Sequence, residues 1–166
     1  MSTPYFYTAD LCDAHAARLH VLAPGFTAFT GQSHMMGPVE TLSCHNDNGL
    51  IKQVLDEPGQ GRILVIDGQA SLNHALIGGN LGLKAQERGW AGLVIDGAVR
   101  DRHELATLSI AILALGSSPL KSAQSGAGER GQPISIRNTV IRRGMWLYSD
   151  QDGLVISAQP LHTGSA

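Results

Sequence analysis

The sequence predicts an α/β fold with a parallel βαβ core and short strands towards its C-terminal end, and three observations carry that prediction. The pentapeptide LVIDG occurs twice, at Leu64–Gly68 and Leu93–Gly97, with an offset of 29 residues. The first copy lies in an unbroken apolar run rich in β-branched residues, RILVID, the pattern of a strand covered on both faces. Between the copies, Gly78 to Gly89 (GGNLGLKAQERG) opens on glycines, carries Ala and Leu inside and closes on Gly89, which reads as a crossover helix. Strand, helix and parallel strand within about 30 residues form a βαβ unit, so the repeat offset is the length of one unit.

The remaining elements follow in order. Thr8 to Ala17 (TADLCDAHAA) reads as a short helix with Thr8 as its N-cap, broken by Pro24-Gly25. Met35 to Cys44 contains the strand-like VETLSC. Asn46-Asp47-Asn48-Gly49 supplies cap and turn residues before Leu50, Ile51, Val54 and Leu55, which share one helical face, and Pro58-Gly59 ends that helix. After the second LVIDG, a short helix from Asp101 to about Thr107 and the run Ile110–Gly116 give another helix and strand. ISIRNTVIRRG, WLYSD and GLVIS then read as short strands joined by turns.

With 166 residues, the chain fits one domain spanning 1–166, with a flexible tail expected from about residue 159. A 43% apolar fraction, 16% charged residues and 20 glycines describe a globular chain with many tight turns. The net charge is -2 and the 12 basic residues are scattered, so no direct nucleic-acid binding is expected. MSTPYFYTADLCDAH lacks the charged and apolar regions of a secretory signal, and no run approaches the ~20 apolar residues of a membrane span, so a cytoplasmic, membrane-free protein is expected. Cys12 and Cys44 show no metal or redox spacing and read as small hydrophobes.

Parallel neighbours end at one edge of their sheet, where open α/β folds place ligands. The loops after Gly68 and Gly97 are therefore expected to face one crevice, with Gly78, Gly79, Asn80 and Leu81 on one wall and Arg100 and Asp101 on the other. Free N–H groups at a helix start make a cradle for a carboxylate or phosphate. Arg100 offers a planar two-pronged grip on a carboxylate. Asp101 suits a hard cation such as Mg²⁺, which needs only one or two carboxylates. Plainer alternatives stay open: Gly78-Gly79-Asn80 as a tight turn, Asp101 as a cap on the helix through Leu105, Asp67 and Asp96 as turn residues, His103 as a partly exposed helix residue. HExxH, the phosphate-loop sequence GxxxxGK[ST], GxGxxG after a strand and GxSxG are all absent. A Schiff-base route would fall to Lys52, Lys84 or Lys121, and Lys84 lies in a polar helical stretch.

Gly78 to Asp101 (GGNLGLKAQERGWAGLVIDGAVRD) resembles the signature region of the RraA-like family, which includes regulators of ribonuclease E activity and metal-dependent 4-hydroxy-4-methyl-2-oxoglutarate aldolases. LCDAH, NDNGLIKQVLD, GRILVIDG, SPLKSAQSGAGERG and WLYSDQDGLVIS resemble family segments in the same order, across nearly the whole chain. The resemblance implies a compact α/β sandwich with swivelling-domain-like topology, assembled as a homotrimer. It implies a substrate pocket lined by Gly78, Gly79, Asn80 and Leu81, Arg100 on the carboxylate of a small 2-oxo acid, and Asp101 on a divalent cation, Mg²⁺ or Mn²⁺. The implied reaction cleaves 4-hydroxy-4-methyl-2-oxoglutarate to two pyruvates, with oxaloacetate decarboxylation as a side activity and Arg100 and Asp101 as the catalytic pair. One departure is visible. The family's aldolases carry Asp, twenty residues and then Arg-Asp, and here Gly79 takes the place of that Asp. Many also have a longer C-terminal segment, whereas this chain stops soon after Gln159-Pro160. The rival expectation is a non-catalytic regulator that contacts ribonuclease E.

Overall fold

The computed structural model describes residues 5–161. Its elements are α1 (Thr8–His15), a 3₁₀ turn (Ala16–Arg18), β1 (Leu19–Val21), β2 (Thr27–Ala28), β3 (Met35–Ser43), α2 (Gly49–Leu55), β4 (Ile63–Ile77) and α3 (Gly79–Glu87). They continue with β5 (Gly92–Val99), α4 (Arg102–Leu105), β6 (Ala111–Ser117), β7 (Glu129–Arg130), β8 (Ile134–Ile136), β9 (Thr139–Ile141), β10 (Trp146–Asp150) and β11 (Gly153–Ser157). The sheet runs β1-β11-β10-β3-β4-β5-β6-β2, mixed in direction: β3, β4, β5 and β6 are parallel, and antiparallel strands flank them. Strand β3 is the joint, because residues 35–38 pair with β10 and residues 39–43 with β4.

The two LVIDG copies lie side by side, Leu64 opposite Leu93 and Asp67 opposite Asp96. Helix α3 crosses between them, as the repeat offset requires. Neither strand stops there, contrary to expectation: β4 runs on to Ile77 and β5 to Val99. Gln69 and Ala70 adopt left-handed backbone conformations (φ 58° and 55°), which throws β4 out of register before it pairs again, irregularly, at Ser71 with Gly97, Ala75 with Ala98 and Ile77 with Val99. The loops after Gly68 and Gly97 are therefore not the crevice. The sheet edge that matters lies further along, at Gly78 and Arg100.

Apolar side chains fill both faces. Leu64, Ile66, Leu93 and Ile95 pack with Ile51 and Leu55 of α2 and Ala85 of α3 on one side. Val65, Val94 and Leu113 meet Ile134, Ile136 and Ile141 of the β8–β9 hairpin on the other. At the amino end, Thr8 is the first helical residue rather than the cap, and its N–H and hydroxyl both donate to the Asp150 carboxylate, at 2.7 and 2.6 Å. The expected tail is anchored as far as Leu161, which is buried and donates its N–H to the Tyr148 hydroxyl at 2.7 Å. The rest of that tail, 162–166, lies outside the described residues. Among the described residues, no helix is long and apolar enough to cross a membrane.

Candidate functional site

The register of Ile77 with Val99 sets Gly78 beside Arg100, and the Arg100 N–H donates to the Ile77 carbonyl at 2.9 Å. Asp101 then turns the chain in a left-handed conformation, φ 61°. That conformation is uncommon outside glycine, and Asp and Asn tolerate it best. It lets one residue start two helices. The Asp101 carbonyl accepts the Glu104 and Leu105 N–H groups of α4, both at 2.9 Å, while its side-chain Oδ2 accepts the Gly79 N–H of α3 at 2.9 Å. The expected side-chain cap on α4 is thus replaced by a cap on α3. One N–H of the cradle is taken by this carboxylate, and Gly82 N–H bonds the Gly78 carbonyl at 3.0 Å. The Asn80 and Leu81 amides lie between them, in the turn where a helix makes no internal bond.

Gly78, Asn80, Leu81, Arg100 and Asp101 line one cavity of about 150 Å³, so five of the six expected residues share a single hollow. Gly79 sits behind it against α4. The structure adds Lys52 from α2 and, from the segment after β6, Lys121 and Gln124. That segment is tied across the end of β4: Ala75 N–H donates to the Leu120 carbonyl at 2.7 Å, and the Ser122 hydroxyl donates to the Ala75 carbonyl at 2.6 Å. Its far end is held by buried Asp47, whose carboxylate accepts the Ser125 hydroxyl and the N–H groups of Gly49, Ser125 and Gly126. The Ser125 hydroxyl bond and these amides hold the Asp47 carboxyl well below the usual carboxylate range, at about 2.

Gly79 raises the question of the absent carboxylate. It has no left-handed φ, and a Cβ placed on it would overlap Glu104 Oε2, with Glu104 Cδ at 2.9 Å. Gly82 brings the helices this close, since a Cβ there would stand 2.9 Å from both Leu105 and Leu108. The space that a side chain at 79 would fill holds the carboxylate of Glu104 instead. The spacing Asp101-x-x-Glu104 was the available signal, but it reads equally well as a helix start. His103 points away, 81% exposed, with Nε2 3.7 Å from Glu104 Oε1.

Among the described residues, no three His, Cys, Asp or Glu side chains gather as a closed metal centre. Asp101, the one carboxylate lining the cavity among the described residues, fits instead a hard divalent cation that keeps most of its waters, and Glu104 lies behind it against Gly79. Asp67 and Asp96 do not line the cavity: Asp67 accepts the Gln69 N–H at 2.9 Å, and Asp96 is buried, which together with the Asp67 charge raises its carboxyl pKa. Lys84 is paired with Asp56 at 2.6 Å, outside the pocket. Buried Cys44 has its thiol pushed up to about 12 by burial, then by the charges of Asp47 and Asp67.

Residues 8–156 match the RraA-like family, described as Aldolase/RraA. A Burkholderia multivorans protein provisionally named 4-hydroxy-4-methyl-2-oxoglutarate aldolase is 46% identical over 161 residues, covering 94% of this chain and 98% of the relative. The structure of the RNA-processing inhibitor RraA from Thermus thermophilis superposes with a TM-score of 0.91 at 40% identity, covering 98% of this chain and 96% of that one. A Geobacillus kaustophilus structure described as an S-adenosylmethionine:2-dimethylmenaquinone methyltransferase gives a TM-score of 0.91 at 35% identity, covering 93% and 96%.

Proposed function

The chain belongs to the RraA-like family, and from that premise we propose that it is a divalent-metal-dependent aldolase. Its reaction is cleavage of 4-hydroxy-4-methyl-2-oxoglutarate to two pyruvates, with oxaloacetate decarboxylation as a secondary reaction. The observation that carries this reading is the convergence of Arg100, Asp101 and the first turn of α3 on one cavity of about 150 Å³. Pockets for drug-sized ligands start near ~300 Å³, so this one suits a small acid and not a nucleoside cofactor.

Arg100 holds the 1-carboxylate of the 2-oxo acid through its planar fork, and the Asn80 and Leu81 amides donate to substrate oxygens. Asp101, capped onto α3, would hold the cation. When bound, Mg²⁺ or Mn²⁺ supplies Lewis-acid stabilisation of the negative charge that develops on the 2-oxo group. In the aldol reaction the C3–C4 bond breaks, its electron pair stays on C3, which then takes a proton to become the methyl group of one pyruvate, and the C4 hydroxyl proton leaves through a bridging water to Glu104, whose carboxylate lies behind the cavity in the Gly79 side-chain space. In the oxaloacetate reaction the corresponding bond breaks with loss of carbon dioxide. Both leave the same three-carbon fragment, so one site serves both.

The similarity to an RNA-processing inhibitor favours a second reading, a homotrimer that restrains ribonuclease E by surface contact. One experiment separates the two. Pyruvate release from each substrate is followed with Mg²⁺ or Mn²⁺ and again after EDTA, alongside ribonuclease E cleavage of an RNA in the presence of the protein. Release that stops with EDTA supports the aldolase. No release with either metal, together with slowed RNA cleavage, supports the regulator.

A further inference from the structure

We infer that Lys52 and Lys121 form a second carboxylate grip in the pocket, one that selects 2-oxo acids carrying a distal carboxylate over monocarboxylic ones. This deepens the function proposed above and rests on it. Three cationic residues, Lys52, Arg100 and Lys121, line a cavity of about 150 Å³ in which, among the described residues, Asp101 is the one lining carboxylate. They come from three separate elements: α2, the end of β5, and the segment after β6. A monocarboxylate held by Arg100 brings no counter-charge for Lys52 and Lys121, which also line the cavity, and a second carboxylate on the ligand supplies it.

The chain positions Lys52 through its side chain and Lys121 through its backbone. Lys52 is half-buried and donates one N–H to Gln124 Oε1 at 3.0 Å, and an ammonium has two further donors. The backbone at Lys121 is pinned, since its carbonyl is bonded to His74 Nδ1 at 2.8 Å and it bridges to Ala75. Gln124 stays within reach of Lys52 because Asp47 holds the next two residues, Ser125 and Gly126. Lysine suits this end of the pocket for a physical reason. A distal carboxylate rides on rotatable carbons and changes position as C3–C4 breaks, and a compact charge on a flexible stem follows it better than a rigid fork.

The test compares two unreactive ligands with the same head, pyruvate and 2-oxoglutarate, binding to the full chain with Mg²⁺ by calorimetry. Lys52→Met and Lys121→Met are each expected to weaken 2-oxoglutarate at least about tenfold, the scale of one charged hydrogen bond, and to leave pyruvate within about twofold. Lys52→Arg and Lys121→Arg should keep most of the 2-oxoglutarate affinity, and Lys84→Met, outside the pocket, should change neither ligand. Equal losses for both ligands, or an unchanged 2-oxoglutarate affinity, overturn the second grip. A wild-type protein that binds pyruvate but prefers it to 2-oxoglutarate overturns this inference alone; one that binds neither overturns the proposed function with it.

Discussion

Replacing Asp101 separates the two tasks the structure gives it. As a structural group, its carboxylate caps the Gly79 N–H at 2.9 Å and its backbone sits at φ 61°. Asp101→Ala removes the cap, at about 1 kcal/mol. It also forces a residue with a Cβ and no local hydrogen bond to hold the left-handed conformation, at about 1 kcal/mol more. For a chain of this length each kcal/mol moves Tm by about 2–4 °C, so Asp101→Ala should melt about 4–8 °C below wild type. Asp101→Asn keeps an acceptor for the Gly79 N–H and tolerates the same φ, so its Tm should fall by no more than about 2 °C. As a cation ligand, however, an amide is a poor substitute for a carboxylate. Both variants should lose at least about a hundredfold in metal-dependent pyruvate release, about 3 kcal/mol of transition-state stabilisation. Melting curves and a coupled pyruvate assay on the same preparations give the comparison. An Asn variant that turns over at the wild-type rate with Mg²⁺ would show that Asp101 is no ligand. One that melts as low as the Ala variant would show that the cap and the backbone conformation do not set its structural role.

Three further outcomes are expected. Arg100→Lys keeps the charge but loses the fork, so KM for oxaloacetate should rise by about tenfold, and an unaltered kcat/KM would count against a bidentate grip. Glu104→Gln should slow cleavage of the hydroxy acid, and Gly79→Asp combined with Glu104→Ala should restore part of the rate by returning a carboxylate to the same space; no recovery in a folded double variant would refute that equivalence. Asp47 has its folded pKa depressed to about 2, so its charge stabilises the fold above the unfolded value near ~4 and that gain is lost as pH falls from about 4 towards 2. Asp47→Asn should therefore cost about 2 kcal/mol in urea unfolding near neutral pH, and a gap from wild type that fails to shrink near pH ~2.5 would contradict this.

The legible part of the molecule was its local periodicity. The LVIDG repeat, the glycine-bounded helix between its copies and the parallel pairing of β4 with β5 all follow from patterns of one side chain against its near neighbours. The juxtaposition of Gly78 with Arg100 follows from the same unit, because parallel strands deliver their ends to one edge. The extension of β4 was hidden by Gln69 and Ala70, two non-glycine residues in left-handed conformations, which no propensity favours. Lys52 and Lys121 were visible only as isolated lysines, since what unites them is a set of contacts between residues 47–52 and 120–126. Glu104 belongs to no pattern on α3, because it is the close seating of α3 on α4 at Gly82 that brings a carboxylate of the neighbouring helix to the Gly79 position.

Mn²⁺ binding, followed by electron paramagnetic resonance while oxalate is added, addresses the shared metal and 2-oxo acid pocket most directly. One Mn²⁺ site per chain is expected, lost in Asp101→Asn, whose spectrum changes with oxalate in wild type but far less in Arg100→Lys. Mn²⁺ bound equally well by the Asn variant, or an oxalate response indifferent to Arg100, would mean that the cation and the acid do not meet at the end of β5.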